Sequence, residues 1–421
     1  MLDIKCDVAV IGGGPAGLAA AIAAKKEGAD RVLIIERDSS LGGILQQCIH
    51  PGFGLTYYNE ELTGPEYAGR FIDEADKLGV EVMLNSMVLE ISPEGRIVCV
   101  NSENGMTCVD SRSVVLAMGC RERTRGNIMI PGTRPSGIYT AGSAQRLINR
   151  QNGMVGRKVV ILGSGDIGMI MARRLTLEGA KVAAVIEIMD FLAGLTRNKV
   201  QCLDDFEIPL MLSHTVTGIV GHERITGVYA AEVDNDKKPV KETEQFIECD
   251  TLLLSVGLIP ENELSRGSGV QICPITNGPV VNQYMQTSIP AFFAGGNVVH
   301  VNDLVDNVST ESMIAGASAA KFAMSTLPEF KSEIIMQPGE NVRYISPHKI
   351  AVADAIDDVK LYFRVKTPGS DVKITVSCNG KIILGKKAAK VNPGEMEHVM
   401  LKASDIAAVA GNFVIDVVKG A

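Results

Sequence analysis

The sequence predicts an α/β fold with two doubly wound parallel sheets, followed by an all-β, sandwich-like domain. Two observations predict the α/β part. A glycine-rich turn occurs twice, at residues 12–17 and 163–168, and each turn stands between an apolar run and a run of small residues. That order is typical of a strand, a tight turn and a helix. A third observation predicts the β domain, because apolar and polar residues alternate in several runs after Pro328.

Length and charge restrict the class of protein. With 421 residues, the chain can form about three domains of roughly 150 residues each. Its net charge of -8 argues against a nucleic-acid partner. Residues 1–7 lack the basic and then apolar order of a secretion signal, and no apolar run reaches the roughly 18 residues of a membrane helix. We therefore expect a cytoplasmic protein with no transmembrane segment.

The nine cysteines are scattered along the chain. No two of them form a C-x-x-C pair, and no cluster has the spacing of a zinc or iron–sulfur site. We expect reduced thiols and no metal site.

The first glycine turn lies between a strand over residues 7–11 and a helix over about 16–27, and a second strand over 31–35 ends at an acid. The three glycines permit the turn, the close approach of a phosphate and the close packing of helix on strand. The N–H groups and dipole of the helix would face a pyrophosphate, and the acid would accept from ribose hydroxyls. The residues that we predict to bind this first nucleotide are Gly12, Gly14, Pro15, Ala16, Gly17, Glu36 and Arg37.

The second glycine turn repeats this arrangement, with strands over 158–162 and 181–186 and a helix over 167–178. Glu187 ends the second strand and favours NAD over NADP, because a 2′-phosphate would meet a carboxylate. The two turns therefore predict two Rossmann-like domains that bind two adenine dinucleotides. The residues that we predict to bind the second nucleotide are Gly163, Gly165, Asp166, Ile167, Gly168 and Glu187.

The other elements follow from periodicity and turn signals. Thr63 can cap a helix whose apolar positions recur at helical spacing from Tyr67 to Leu78. A strand over 80–84 and an antiparallel meander over 88–115 follow. In the second domain we predict a hairpin of strands 224–233 and 246–254, and later a helix over about 310–324. In the β domain, over 342–421, Asn379-Gly380 predicts a two-residue type I′ hairpin turn, and 413–418 is the last strand.

The order of the motifs resembles that of the flavoproteins with two dinucleotide-binding domains, a family that includes glutathione, thioredoxin and ferredoxin reductases. These motifs are the first fingerprint, Gly42-Gly43, the meander, the second fingerprint, Ser255-Val256-Gly257 and Gly295-Gly296-Asn297. The resemblance covers about residues 1–326 and implies FAD in the first site and NAD(H) in the second. The resemblance also implies further cofactor-binding residues, namely Gly42, Gly43, Ala117, Gly119, Gly257, Gly296, Asn297 and Asp306.

The resemblance also implies how the chain divides into domains. The FAD domain would be split by an inserted NAD(H) domain, and hydride would pass between the two cofactors in the cleft between them. The expected divisions are residues 1–118 and 271–328 for the FAD domain, 119–270 for the NAD(H) domain and 329–421 for the β domain. The family has Asp where this chain has Asn297, and an amide can also bind a ribityl hydroxyl. Asp306 could contact FAD or only support its own turn.

Four longer strings, at 49–68, 117–123, 131–149 and 296–306, are similar to the flavoprotein subunits of opine oxidase, hydrogen cyanide synthase and related amine dehydrogenases. They are also similar to a branch that accompanies glycerol-3-phosphate dehydrogenase. This likeness implies one subunit of an oligomeric dehydrogenase. It would exchange electrons with a partner that oxidises a small substrate, such as glycerol 3-phosphate or a secondary amine. Any iron–sulfur cluster would lie on a partner subunit.

The resemblance argues against a dithiol mechanism. Disulfide reductases of this family have C-x4-C after the Gly42-Gly43 pair, whereas residues 44–50 here contain only Cys48. The candidate catalytic residues are therefore Cys48 as a thiolate beside the flavin, His50 as a proton donor and His300 as a proton relay. Each of them could instead only line a cavity or pack. We expect Ser309 to cap the helix whose amino end faces the flavin.

Two other functions remain open. The chain could be a stand-alone NADH oxidase or NADH:acceptor reductase that uses Cys48. Alternatively, it could be a non-catalytic subunit that binds nucleotides and uses its β domain as an interaction module.

Overall fold

The computed structural model describes residues 2–408 and 411–420. The chain forms two compact units, one made of Met1–Cys120 with Pro260–Ala421 and the other of Arg121–Ile259. Unit 1 contains two clusters of buried apolar residues, one of them in its carboxy-terminal part, and unit 2 contains two others. None of the helices in these described ranges is both long enough and apolar enough to span a membrane.

The first part of unit 1 supplies most of the main sheet, a separate two-stranded antiparallel sheet and two helices. Its elements are β1 (Leu2–Ile11), α1 (Pro15–Glu27), β2 (Val32–Ile35), β3 (Pro51–Phe53), β4 (Leu62–Thr63), α2 (Gly64–Lys77), β5 (Glu81–Met83), β6 (Ser86–Ile91), β7 (Arg96–Asn101), β8 (Gly105–Leu116) and β9 (Cys120–Glu122).

The main sheet of unit 1 has the strand order β5-β2-β1-β8-β7-β6. β5, β2, β1 and β8 are parallel, whereas β7 and β6 continue the sheet as an antiparallel meander. The meander predicted over 88–115 is thus confirmed. Thr63 caps α2 through a capping box with Glu66, and Tyr67 and Phe71 are fully buried, as the helical spacing predicted.

Unit 2 contains a five-stranded parallel sheet of order β10-β17-β11-β12-β13 and a three-stranded antiparallel sheet of order β14-β15-β16. The chain enters this unit within β9 and leaves it within β18. The elements from its start to its end are α3 (Arg125–Ile128), β10 (Ile138–Thr140), α4 (Ala141–Gln151), β11 (Lys158–Leu162), α5 (Asp166–Leu177), β12 (Lys181–Ile186), α6 (Thr196–Cys202), β13 (Leu210–Met211), β14 (His214–Gly221), β15 (Ile225–Glu232), β16 (Gln245–Glu248), β17 (Thr251–Leu254) and β18 (Leu258–Pro260).

The hairpin predicted over 224–254 is only half right. β15 does pair antiparallel with β16. The apolar run 246–254, however, is interrupted by Asp250, whose carboxylate accepts hydrogen bonds from the backbone N–H groups of Arg157 and Lys158. Beyond Asp250 the run becomes β17, a central parallel strand that pairs with β10 and β11. No local pattern in the sequence indicates that the two halves belong to different sheets.

The rest of unit 1 completes the first sheet and adds the β domain. β19 pairs parallel with β8 in the main sheet. The elements are α7 (Glu263–Gly267), β19 (Phe292–Ala294), α8 (Val305–Ala323), β20 (Ser332–Pro338), β21 (Val342–Ser346), β22 (Lys349–Val352), β23 (Val359–Val365), β24 (Gly369–Cys378), β25 (Lys381–Val391), β26 (Glu397–Leu401), α9 (Ala403–Ala407) and β27 (Phe413–Lys419).

The β domain consists of two sheets around one core, as the alternation predicted. The strand orders are β22-β20-β27-β24-β25 and β21-β23-β26. Phe363 and Phe413 are fully buried between the sheets. Asn379 and Gly380 both have positive φ, 49° and 77°, and join β24 to β25, which confirms the predicted type I′ turn.

Two helices rich in small residues pack closely in unit 1. α1 is buried around most of its circumference, and α8 lies against it. A Cβ added at Gly316 of α8 would lie 1.9 Å from the carbonyl oxygen of Ala20. α8 begins at Val305, five residues before the predicted start, so Ser309 is an interior residue that accepts a hydrogen bond from Tyr67 and is not the cap.

The α1–α8 contact predicts opposite effects for two glycine substitutions. Gly316→Ala should lower the free energy of unfolding by roughly 1–3 kcal/mol, because the added methyl overlaps backbone that cannot move without separating the helices. Gly69→Ala in α2 is the matched control, since no atom lies within 4 Å of its added Cβ. It should raise stability by about 0.5–1 kcal/mol. Thermal unfolding of the apoproteins measures both, and a shift of the same sign in both variants would contradict the packing argument.

Candidate functional sites

A buried carboxylate fixes the first glycine turn. Glu36, at the tip of β2, accepts a hydrogen bond from the N–H of Gly13 at 2.6 Å through Oε2 and one from Asp38 at 2.7 Å through Oε1. Each carboxylate oxygen has a second lone pair. Acceptor capacity therefore remains for a ribose hydroxyl, and the binding of that hydroxyl by Glu36 stays a prediction.

The glycines of this turn divide into two groups. Gly12 has φ of 103°, and an added Cβ would lie 2.5 Å from the carbonyl oxygen of Ala117. At Gly17 it would lie 1.8 Å from the carbonyl oxygen of Gly12. These two positions serve the fold itself. At Gly14 the nearest atom is the Cα of Gly43 at 3.9 Å, so the space beside Gly14 is open.

The amino end of α1 is suited to an anion. Its N-cap, Gly14, provides no side-chain acceptor, and Pro15 has no N–H of its own. The remaining N–H groups of the first turn, those of Ala16 and Gly17, point out of the helix end together with the positive end of its dipole.

The second turn has the same geometry. Glu187 Oε2 accepts from the N–H of Ser164 at 2.8 Å, and the separation of 23 residues equals that between Gly13 and Glu36. Gly165 is the N-cap of α5 without a side-chain acceptor. A Cβ at Gly163 would lie 2.1 Å from the carbonyl oxygen of Ser255. Both strand–turn–helix units thus use one acid to hold one turn.

Asp166 of the second turn is engaged by the chain itself. Its Oδ1 accepts from the N–H of Leu195 at 2.8 Å and from the side chain of Asn198 at 2.7 Å. The hydroxyl of Ser164 accepts from the N–H of Ala193 at 2.9 Å. Through these hydrogen bonds, the second glycine turn also holds the loop that precedes α6 in place.

The segment after β19 returns to the first turn. A Cβ at Gly296, whose φ is 75°, would lie 2.9 Å from the Cβ of Ala16 in α1. Asn297 follows directly, at the carboxyl end of a parallel strand, where open α/β sheets bind their ligands. Its Oδ1 accepts from the N–H of Asn302 at 2.9 Å, and its Nδ2 lies 3.6 Å from the sulfur of Cys120.

Asp306 anchors a loop. Its two carboxylate oxygens accept from the N–H groups of Gly54, Thr56 and Tyr57 and from the hydroxyl of Thr56, at 2.7–3.2 Å. Of the two roles that the sequence left open for Asp306, these contacts favour the structural one.

Cys48 and His50 lie in the loop after Gly42-Gly43. The Cys48 thiol donates to the carbonyl oxygen of Ile44 at 3.3 Å, and burial raises its pKa to about 12. The thiol is therefore protonated at neutral pH, whereas the role predicted for it beside the flavin requires a thiolate. His50 Nδ1 lies 3.1 Å from the carbonyl oxygen of Pro51, and its ring packs on Phe53.

His300 is in a different environment from those two residues. It is 0% exposed, and its Nε2 lies 2.8 Å from Oε1 of Glu311, which is 2% exposed. Its ring packs against Tyr344 and Tyr362 of the β domain, with centroids 5.7 and 6.4 Å away. The buried partner Glu311 was not identified from the sequence. The available signal is a second acid, after Asp306, in the small-residue helix α8.

The remaining predicted residues are placed as follows. Arg37 is exposed, Ala117 is buried at the end of β8, and Ile167 packs on the core of unit 2. Gly119 and Gly257 have positive φ, 71° and 102°. An added Cβ at Gly119 would meet no atom within 4 Å. The structure describes the surroundings of these residues, and their role in binding a cofactor stays a prediction.

These features define a class of protein, namely one with two dinucleotide-binding domains. Residues 6–342 match the family model described as Pyridine nucleotide-disulphide oxidoreductase. The chain therefore belongs to this family, whose members bind FAD and NAD(P)H.

Particular relatives refine the comparison. Hydrogen cyanide synthase subunit HcnB of Pseudomonas protegens is 28% identical over 319 residues, which are 69% of this chain and 65% of the relative. An opine oxidase subunit of Agrobacterium tumefaciens is 25% identical over 281 residues, 63% of this chain and 55% of the relative. The chain thus spans less than two thirds of the length of these curated relatives.

Solved structures support the fold. The crystal structure of T. acidophilum thioredoxin reductase has a TM-score of 0.63 and 24% identity, and it covers 76% of this chain and 99% of its own. Lactococcus lactis thioredoxin reductase also has a TM-score of 0.63, with 21% identity. The match covers 76% of this chain and 100% of the reductase chain. At this level of identity the likeness concerns the fold alone.

The residues of the first site fit FAD. The helix end without a side-chain acceptor, the open space beside Gly14 and the spare lone pairs of Glu36 match a pyrophosphate and a ribose. The second site offers a helix end without a side-chain acceptor at Gly165 and the Glu187 carboxylate, and these groups fit a second dinucleotide.

Gly14→Ala tests the first site without disturbing the fold. Gly14 has φ of -75°, which alanine adopts, and its added Cβ meets no atom closer than 3.9 Å. We expect apoprotein stability to be unchanged and the dissociation constant for FAD to rise at least about tenfold, because the methyl occupies the phosphate space. Gly17→Ala is the contrasting variant and should destabilise the apoprotein itself. Normal FAD affinity in Gly14→Ala would exclude this turn as the phosphate site.

Cys48→Ala tests the thiol. Because burial raises the Cys48 pKa to about 12, alkylation by iodoacetamide should be slow at neutral pH and accelerate as the pH is raised towards that value. Both Cys48→Ala and the isosteric control Cys48→Ser should retain wild-type turnover with NADH and an artificial acceptor. Loss of turnover in the alanine variant with normal FAD content would show that the sulfur takes part in the reaction.

Proposed function

We propose that this chain is the flavoprotein subunit of a multi-subunit dehydrogenase and passes electrons between NAD(H) and a partner subunit through FAD. The partner would oxidise a small substrate such as glycerol 3-phosphate or a secondary amine. FAD supplies the two-electron chemistry when bound, and the protein supplies binding and orientation.

The observation that carries this proposal is the cysteine pattern. The dithiol mechanism of this family uses a C-x-x-C or C-x4-C pair, and the chain has neither. Within the part of the chain that the structure describes, all nine cysteines are thiols rather than disulfides, and the thiol of Cys48 has a raised pKa. Electrons that reach the flavin therefore have no dithiol on this chain to accept them.

The relatives support an acceptor on another polypeptide. Two of them, from hydrogen cyanide synthase and from opine oxidase, are named as subunits of larger enzymes. This chain spans less than two thirds of the length of those proteins. The proposed partner and substrate are therefore inferred from the similarity of the part of the sequence that the chain shares with them.

The second site favours NADH over NADPH. The buried Glu187 carboxylate is held by the N–H groups of Ser164 and Met189 and stands where the adenosine ribose would lie. A 2′-phosphate there would be repelled by a fixed negative charge, and juxtaposed like charges cost several kcal/mol.

Anaerobic titration of the FAD-loaded protein with NADH tests the proposal. We expect NADH to bleach the visible absorbance of oxidised flavin, and we expect NADPH to require at least about a tenfold higher concentration. Gly165→Ala should retain the FAD spectrum but require more NADH. Its added Cβ would lie 3.0 Å from the hydroxyl oxygen of Ser255, which accepts from the N–H of Gly168 in the same turn, so the second phosphate site would be disturbed. Adding the candidate substrates with co-purified subunits then identifies the donor or acceptor.

The titration also separates the other two functions. Absence of bleaching by NADH would favour a non-catalytic nucleotide-binding subunit. Bleaching followed by rapid reoxidation in air without any partner, abolished by Cys48→Ala, would favour a stand-alone NADH oxidase.

A further inference from the structure

A buried polar cluster joins the flavin-domain segment 297–303 to the β domain within unit 1. At its centre is Glu311 of α8. Its Oε1 lies 2.8 Å from His300 Nε2, and its Oε2 accepts from Asn302 Nδ2 at 3.2 Å. A carboxylate that is 2% exposed is costly to bury unless its partners are held in place. The cluster therefore constrains the segment rather than merely filling space.

The segment transmits this constraint to Asn297. The backbone N–H of Asn302 donates to Asn297 Oδ1 at 2.9 Å. Because an N–H requires an acceptor, this bond determines which end of the Asn297 amide faces Asn302. The NH₂ group of Asn297 is left on the other side, in the direction of Cys120. Gly296, one residue earlier, lies against α1 beside the first glycine turn.

The β domain holds the same segment from outside. Arg364 of β23 donates to the carbonyl oxygen of Val301 at 3.1 Å and forms an ion pair with Asp303 at 3.5 Å. The backbone N–H of Met396 donates to the other oxygen of Asp303 at 3.1 Å. These side chains are largely buried, at 13% exposed for Arg364 and 7% for Asp303.

The outer face of the three-stranded sheet is built for this contact. Along β23, Leu361 and Phe363 point into the sandwich core, whereas Tyr362 and Arg364 point away from it and are still buried or half-buried. Tyr344, the cross-strand neighbour of Arg364 on β21, packs with Tyr362 against His300. A polar sheet face buried in this way indicates a specific, permanent contact between the two parts of unit 1.

We propose that Glu311 is a positioning residue, which orients the Asn297 amide towards the cofactor through Asn302, and that the β domain keeps this arrangement in place through Arg364. The β domain is then a structural part of the FAD site. This inference does not depend on the partner, on NADH or on the reaction proposed above.

A double-mutant cycle on FAD affinity tests the proposal. The dissociation constant is measured by quenching of flavin fluorescence on the apoproteins of Glu311→Leu, Asn297→Ala and the double variant. A charge-assisted hydrogen bond accounts for roughly a factor of ten, so we expect Glu311→Leu to raise the constant about tenfold. In the Asn297→Ala background, Glu311→Leu should raise the dissociation constant little further. The Asn297 amide, through which Glu311 acts on the cofactor, is absent there.

Matched variants complete the test. Glu311→Gln keeps an acceptor for Asn302 and should largely retain affinity, whereas Asn302→Ala and Arg364→Met should weaken it. Ser346→Ala is the control, because the Ser346 hydroxyl is buried at the same sheet face, has no hydrogen-bond partner in the structure and lies outside this chain of contacts. Its affinity should equal that of the wild type.

The outcomes are distinct. Unchanged FAD affinity in Glu311→Leu, or independent effects of Glu311→Leu and Asn297→Ala, would overturn the proposal. If circular dichroism shows that Glu311→Leu does not fold, a cycle of Asn302→Ala with Asn297→Ala decides in the same way. Because no measurement contains NADH, a failure here is distinguishable from a failure of the proposed electron transfer.

Discussion

The hydrogen bond from a glycine-turn N–H to the acid at the neighbouring strand tip is the constraint on which both nucleotide sites depend. Glu36 holds Gly13, and Glu187 holds Ser164. The bond fixes the turn between the first strand and the helix, so that the helix end projects its N–H groups beyond the sheet edge. It also holds the acid at the strand tip, where we predict the ribose to bind. One interaction would thereby shape the predicted phosphate site and the predicted sugar site together.

Close backbone contacts make that arrangement rigid. Gly12 and Gly17 in unit 1, and Gly163 in unit 2, stand where an added Cβ would overlap a carbonyl oxygen. In unit 1 the same reasoning extends to α8, whose Gly316 lies against α1. The segment from Gly296 to Asp303 then lies between the first turn and the β domain, with Glu311 and Arg364 on either side of it. The first glycine turn and the β domain are therefore parts of one packed structure.

Much of the fold could be predicted because its signals are local. The glycine turns, the capping box at Thr63 and the Asn379-Gly380 turn are each encoded within a few neighbouring residues. The division of the run 246–254 between two sheets could not be predicted, since it depends on Asp250 bonding to backbone 92 and 93 residues away in sequence. The start of α8 was misplaced for a similar reason, because Ser309 serves a distant tyrosine rather than the helix end.

The sequence by itself determined the two nucleotide-binding folds, the acids at their strand tips and the lack of a dithiol, since these are matters of residue type and short spacing. Only the tertiary structure decided what the individual polar groups do. It tied Asp306 to a loop, raised the pKa of the Cys48 thiol by burying it, and placed His300 beside Glu311 under the β domain. The physical reason is that burial and hydrogen-bond partners set the chemistry of a polar side chain, and both come from residues far away along the chain.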